Sequence, residues 1–222
     1  MFRARQHDAA RIALSSCAAL FLAFHTADVT AAVAGRAAED SLVRVTSAAG
    51  GITVTAAHKR LADIAAGDVV DLPAHIETGG DGTLGLQQSQ THISIAPNSE
   101  IEIPAAASDG QLIARLVQWR GNVFYDVEQR GIEKLRVETP HLVAVVKGTQ
   151  FNVATQGDTT TVSLFEGRLE IRTPDGGDVV EIEAGEIAIR SAQDAAVRVL
   201  RMDAAALPAA SAVTADASAA PT

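Results

Sequence analysis

A chain of 222 residues with a formal charge of −9, 47% hydrophobic but only 4% aromatic residues, has room for one or two small domains and must build its core from aliphatic side chains. Branched aliphatics fill the pleated surface of a sheet well. The acidic balance and the lack of any basic run exclude a nucleic-acid partner, because phosphate binding needs clustered Lys and Arg.

The N-terminus reads as an address. Arg3, Arg5 and Arg11 precede an apolar run from Ile12 to Phe24, within the length of a secretory-signal h-region. Ala32-Val33-Ala34 offers a cleavage site before Gly35, with Thr26-Ala27 as a second candidate. Cleavage after residue 34 removes three Arg and two Asp and leaves a formal charge of about −10. An uncleaved anchor, in which case alone the chain would touch the membrane, needs about 20 apolar residues, and His25 and Asp28 interrupt the run. A lipoprotein box at Leu14-Ser15-Ser16-Cys17 is opposed by an apolar run that mostly follows the cysteine. Cys17 is the only cysteine, so the mature chain has no disulfide and no thiolate metal site. The expected organisation is a signal peptide over 1–34, a flexible leader over 35–41, a β-domain over 42–200 and a disordered Ala/Ser/Pro-rich tail over 201–222. The expected location is periplasmic or secreted.

From Leu42 onward the pattern is that of short strands. Leu42–Val45 and Gly51–Thr55 alternate with period two. His58-Lys59-Arg60 reads as a hairpin turn, and Gly67–Leu72 as a turn with a strand. Glu77–Gly82 is a glycine-dense reversal. Leu84/Leu86, Ile93/Ile95 and Ile101/Ile103 alternate on either side of the turn at Pro97-Asn98-Ser99. Gln111–Trp119 fits helical spacing, but its all-β neighbours favour a strand ending at Gly121, and Val123–Val127 continues after Gly121-Asn122. Asp175-Gly176-Gly177-Asp178 is a hairpin turn between Leu169–Arg172 and Val179–Ile182. Ile187–Ile189 and Val197–Leu200 supply the last strands.

Internal echoes point to a repetitive all-β architecture, either stacked short strands in a solenoid-like array or a sandwich of quasi-repeated hairpins. Ile64-Ala65-Ala66-Gly67-Asp68-Val69 resembles Ile182-Glu183-Ala184-Gly185-Glu186-Ile187. Gly51, Gly121 and Gly167 each stand before an alternating strand, and Glu77-Thr78 recurs as Glu138-Thr139.

The stretch Glu138–Ile171 carries a further pattern: Thr139-Pro140, then Val145-Val146-Lys147-Gly148-Thr149-Gln150-Phe151, then Leu164-Phe165-Glu166-Gly167, with Ala184-Gly185-Glu186 beyond it. With Gly67-Asp68, Glu77-Thr78-Gly79 and Pro97-Asn98-Ser99 upstream, the ordered set over about 67–190 resembles the FecR domain, a family of bacterial periplasmic β-domains. The family often has Arg before Gly-Thr, where this chain has Lys147. Its best-known relatives are transmembrane regulators with a cytoplasmic anti-sigma segment and a C-terminal part that contacts an outer-membrane receptor. Met1–Arg11 is too short for that segment, so the resemblance implies a secreted β-domain that works by binding, without the sigma-factor role.

The signature residues Thr139, Pro140, Gly148, Thr149, Phe151, Glu166 and Gly167 read as structural. Gly148-Thr149 is a tight bend, Phe151 is core, and Glu166-Gly167 is a hairpin turn. Neither a Gly-x-x-x-x-Gly-Lys phosphate loop nor a Gly-x-Ser-x-Gly elbow is present. His58, His75, His92 and His141 lie far apart, without His-x-His or His-x-x-x-His spacing, and read as surface or turn residues rather than metal ligands. The loop holding Asp175 and Asp178 is too short for a calcium shell. Asp126, Glu128 and Glu170 have no spacing that singles them out as a glycosidase pair. No cofactor, metal or catalytic residue is expected. Trp119, Phe124 and Tyr125 form the densest aromatic cluster, which is core packing or, if exposed together, an interaction face. The expected function is a non-catalytic binding or signalling module contacting another envelope protein, a membrane sensor or an outer-membrane receptor. An envelope structural or polysaccharide-binding protein is the alternative.

Overall fold

The structure, a computed structural model, describes residues 42–61, 63–105, 113–128 and 135–202. The segments expected to be signal peptide and leader, and the expected tail beyond residue 202, lie outside the described residues, as does the start of the Gln111–Trp119 stretch. Arg201, which the sequence assigns to the tail, closes the last strand. Among the described residues there is no helix long and apolar enough to cross a membrane.

The strands are β1 (Val43–Ala49), β2 (Ile52–Ala56), β3 (Lys59–Leu61), β4 (Val69–Val70), β5 (Ala74–Thr78), β6 (Thr83–Gln88), β7 (Thr91–Ile95), β8 (Glu100–Ile103), β9 (Arg115–Val127), β10 (Leu135–Glu138), β11 (Val143–Val146), β12 (Thr149–Gln156), β13 (Thr159–Glu166), β14 (Arg168–Arg172), β15 (Val179–Glu183), β16 (Glu186–Ser191) and β17 (Arg198–Arg201). These 17 strands join in one open, mixed sheet, and β9–β10 is its parallel pair. The sheet is creased into two ladders. Ladder I runs β4-β1-β6-β7-β9-β12-β13-β16-β17. Ladder II runs β3-β2-β5-β8-β9-β10-β11-β14-β15. Of the two architectures left open by the sequence, this is the sandwich-like one.

Alternation builds the core. Val43 and Val45, Leu84 and Leu86, Ile93 and Ile95, Val153, Val162 and Leu164 face inward from ladder I. Ile76, Ile101, Leu116, Val137, Leu169 and Ile171 do so from ladder II, and all belong to one buried cluster. Each such side chain contributes about 1.5–3 kcal/mol by leaving water.

The crease explains where the glycines stand. β1 leads to β2, β5 to β6, β7 to β8, β11 to β12, β13 to β14 and β15 to β16, and each of these steps leaves one ladder for the other. β9 crosses without a break at Gly121 (φ 94), and its inward positions shift there from Leu116 and Gln118 to Val123 and Tyr125. Neighbouring crossings pack backbone against backbone. A Cβ on Gly121 would fall 2.2 Å from Ser99 Oγ, and one on Gly82 would fall 2.1 Å from the Gly51 carbonyl oxygen.

This corrects one turn assignment. Glu166-Gly167 does not turn a hairpin, because the strands on either side pair in different ladders. The turns expected at Glu77–Gly82 and Pro97-Asn98-Ser99 likewise carry the chain from one ladder to the other. The hairpin at His58 is also shifted. Ala56 pairs with Lys59, so Ala57 and His58 form a two-residue loop with φ of 44° and 67°, the doubly left-handed geometry that matches strand twist. The Asp175–Asp178 hairpin lies where the sequence placed it.

The Gly67 and Gly185 echo is a repeated turn. Asp68 Oδ2 accepts from the Ala65 N–H at 2.8 Å, and Glu186 Oε2 accepts from the Glu183 N–H at 2.9 Å. The two glycine N–H groups donate to the carbonyls of Val45 and Leu164 respectively.

Candidate functional site

The signature residues gather around the crease and the turn between β10 and β11. Thr139 is buried, and its hydroxyl donates to the Leu142 carbonyl at 2.9 Å while accepting from the Leu142 N–H at 3.0 Å. Thr78, its echo, accepts from the Ser99 N–H at 2.9 Å and donates to the Ala96 carbonyl at 2.7 Å. Both threonines satisfy backbone groups that a tight turn would strand away from water. Pro140 is exposed. Gly148 adopts φ 92, and a Cβ on Gly167 would lie 2.6 Å from the Gly148 carbonyl oxygen. Thr149 is buried, and its hydroxyl has no hydrogen-bond partner among the described residues. Phe151 is fully buried and stacks on Tyr125, ring centroids 4.9 Å apart. Glu166 is exposed.

The aromatic residues Trp119, Phe124 and Tyr125 are not brought together. Tyr125 points into the core, where its hydroxyl donates to Gln118 Oε1 at 3.1 Å. Gln118 Nε2 in turn donates to the carbonyls of Val153 and Gly121. This largely buried network joins ladder II to ladder I, and burial pushes the Tyr125 phenol well above its ordinary range. Trp119 is 47% exposed on the outer side of ladder II. Phe124 is half-buried on the outer side of ladder I, 6.1 Å from the ring of Phe165, which is 51% exposed. Phe165 is the aromatic that sequence reasoning missed as a surface group. The signal was available: Leu164 is a core position, so the next residue faces out.

Phe124 stands in a row without charged side chains, and the next outward row carries Arg44, Asp126 and Glu166. Strand register aligns Ser47, Gly85, Ser94, Phe124, Asn152, Ser163, Ile187 and Leu200 in one row across ladder I. A groove of about 290 Å³ lies along it, lined by Ser47, Gly85, Ser94, Asn122, Phe124 and Asn152 among others. At Gly85 the side chains of β1 close over β6, since a Cβ there would fall 2.5 Å from Thr46 Oγ1 and 2.6 Å from Ser47 Oγ.

The charged candidates do not form a centre. Asp126 lies on the outer side of ladder I and Glu170 on that of ladder II, so they cannot act on one bond. Asp126 and Glu128 line a polar hollow with His92 and Glu166 beside Gly148-Thr149. His141 is buried and its Nε2 meets the Gly157 carbonyl at 3.2 Å, and His58 is held in the β2–β3 loop. Asp175 Oδ1 accepts from the Gly177 N–H at 3.1 Å, and Asp178 Oδ2 accepts from the Val197 N–H at 2.9 Å. Hydrogen bonds from Thr173 and the Gly177 amide hold the Asp175 carboxyl below the usual carboxylate range.

The family model described as FecR protein matches residues 74–170, from the start of β5 into β14, including the crease and the Phe124–Phe165 pair. Two crystal structures of a candidate anti-sigma factor from Parabacteroides distasonis superpose with a TM-score of 0.50 at 17% and 19% identity. The aligned part covers 59% of this chain and 60% of that one, so this chain spans less than two thirds of its structural neighbour. At such identity the likeness is one of fold. No curated protein matches the chain.

Proposed function

We propose that this protein is a non-catalytic, FecR-like regulatory module of the bacterial envelope, exported to the periplasm, which docks another envelope protein through the outer face of ladder I. The observation that carries this reading is the uncharged row bearing half-buried Phe124, with the exposed ring of Phe165 beside it. The cores of protein interfaces are depleted of charge and enriched in aromatic anchors, and the row through Phe124 has both properties in a chain of strongly acidic balance. The FecR match over 74–170 and the fold shared with a candidate anti-sigma factor support a role in signalling.

A photo-crosslinking amino acid in place of Ser163, beside the pair, tests the reading in living cells. The expected result is one dominant adduct with a membrane sensor or receptor, reduced at least tenfold by Phe124→Asp with Phe165→Asp. The same probe at Arg172, on ladder II, gives no such adduct. Equal labelling from both faces removes ladder I as the docking surface. Binding of a neutral cell-wall oligosaccharide to the Phe124 groove, seen by amide chemical shifts, replaces the protein partner with a glycan.

A further inference from the structure

On the outer side of ladder II, His75 and Glu77 stand two residues apart on β5 and therefore point the same way. Glu100 on β8 lies directly opposite Glu77. Their donor atoms converge. His75 Nε2 is 3.0 Å from Glu77 Oε1 and 3.6 Å from Glu100 Oε1, and all three atoms lie within 4.8 Å of one another. Ligands bonded at about 2.1 Å to a single zinc-sized ion are separated by roughly 3.0 Å at adjacent octahedral positions and roughly 3.4 Å at tetrahedral ones. The observed spacings bracket those values.

Two further features favour coordination over a chance grouping. Glu100 Oε2 is held by Arg120 Nε at 2.9 Å, which restrains the carboxylate and leaves Oε1 turned toward His75. Outer hydrogen bonds of this kind orient metal-ligating carboxylates. β5 is also paired on both sides, to β2 and β8, so the ligands stand on the interior of a ladder rather than on a fraying edge. Side-chain exposures of 37%, 47% and 27% for His75, Glu77 and Glu100 leave one side open for water ligands.

We propose that His75, Glu77 and Glu100 form a three-ligand site for a first-row divalent cation of borderline softness, Zn²⁺ in particular. An imidazole with two carboxylates suits Zn²⁺, Ni²⁺ or Cu²⁺, whereas Ca²⁺ and Mg²⁺ favour all-oxygen shells. The competing arrangement is a protonated His75 bridging the two carboxylates, which holds no ion.

Titration calorimetry of the untagged, chelator-treated mature protein with zinc chloride distinguishes the two. One site of low-micromolar affinity is expected, with no heat from calcium chloride. His75→Ala and Glu100→Gln each weaken zinc binding at least tenfold, and Arg120→Ala weakens it less. His92→Ala, an exposed histidine on ladder I, leaves it unchanged. Metal-free melting curves of all four variants show that they remain folded. Absence of zinc binding to the parent protein, or undiminished binding to His75→Ala, overturns the site.

Discussion

Ladder I and ladder II enclose the same core but face solvent with different chemistry. Across ladder II, register aligns Arg60, Thr55, His75, Glu102, Val117, Glu138, Val143, Arg172 and Val179. Around that row Arg115 meets Glu138 at 2.6 Å, Arg168 meets Glu183 at 3.5 Å, and Arg172 pairs with Glu170. The matching row of ladder I, through Phe124, contains no charge. Exposed ion pairs contribute about 0–1 kcal/mol each, so the fold does not need them on either face. What they do is keep ladder II wet. The uncharged row through Phe124 is more easily desolvated by a partner, which supports the docking role proposed for it.

The crease is what lets one sheet have two such faces, and breaking it should have the largest effect. Gly121→Ala adds a Cβ at a left-handed φ with the Ser99 backbone 2.3 Å away, and should destabilise the protein by at least about 3 kcal/mol. Gly185→Ala, also left-handed but with nothing within 4 Å of the added Cβ, should cost about 1–2 kcal/mol. Urea denaturation compares them; equal losses would show that close packing between crossings adds nothing.

A smaller effect is expected at the buried link between the ladders. Tyr125→Phe leaves Gln118 Oε1 without its donor and should cost about 1–2 kcal/mol. Because the folded-state phenol titrates well above 10, the unfolded chain loses this proton first as pH rises. Stability therefore falls above pH 10, by up to about 1.4 kcal/mol per pH unit, and Tyr125→Phe should flatten that decline. Tyr125 is the only tyrosine, so tyrosinate absorbance should appear together with unfolding, not before it.

The smallest effect should come from the charged face itself. Arg115→Ala removes the contact that raises the Arg115 pKa through Glu138, yet thermal melting should show a loss of at most about 1 kcal/mol, shrinking further in high salt. A larger loss would make ladder II a structural network rather than a solvated surface.

Much of this was legible in the chain because strand alternation is local. Ile93/Ile95 and Ile101/Ile103 declare their inward faces within a few residues, and the Gly67 and Gly185 echo marks a turn whose acidic residue closes on its own backbone. The aromatic cluster was less legible. Trp119, Phe124 and Tyr125 are close in sequence, but the crease at Gly121 and the alternation beyond it send them to the outside of ladder II, the outside of ladder I and the core. The proposed cation site was not legible as a motif for the converse reason. His75 and Glu77 show their shared face in sequence, whereas Glu100 reaches them only through the β5–β8 pairing.

By itself, then, the sequence determined an all-β chain, its inward residues and the glycines at which it changes direction, since period-two burial and left-handed φ are properties of short segments. Only the tertiary structure decided which of those glycines fold the sheet in two and which turn a hairpin. A left-handed residue permits both, and the choice rests on where the next strand finds its partners.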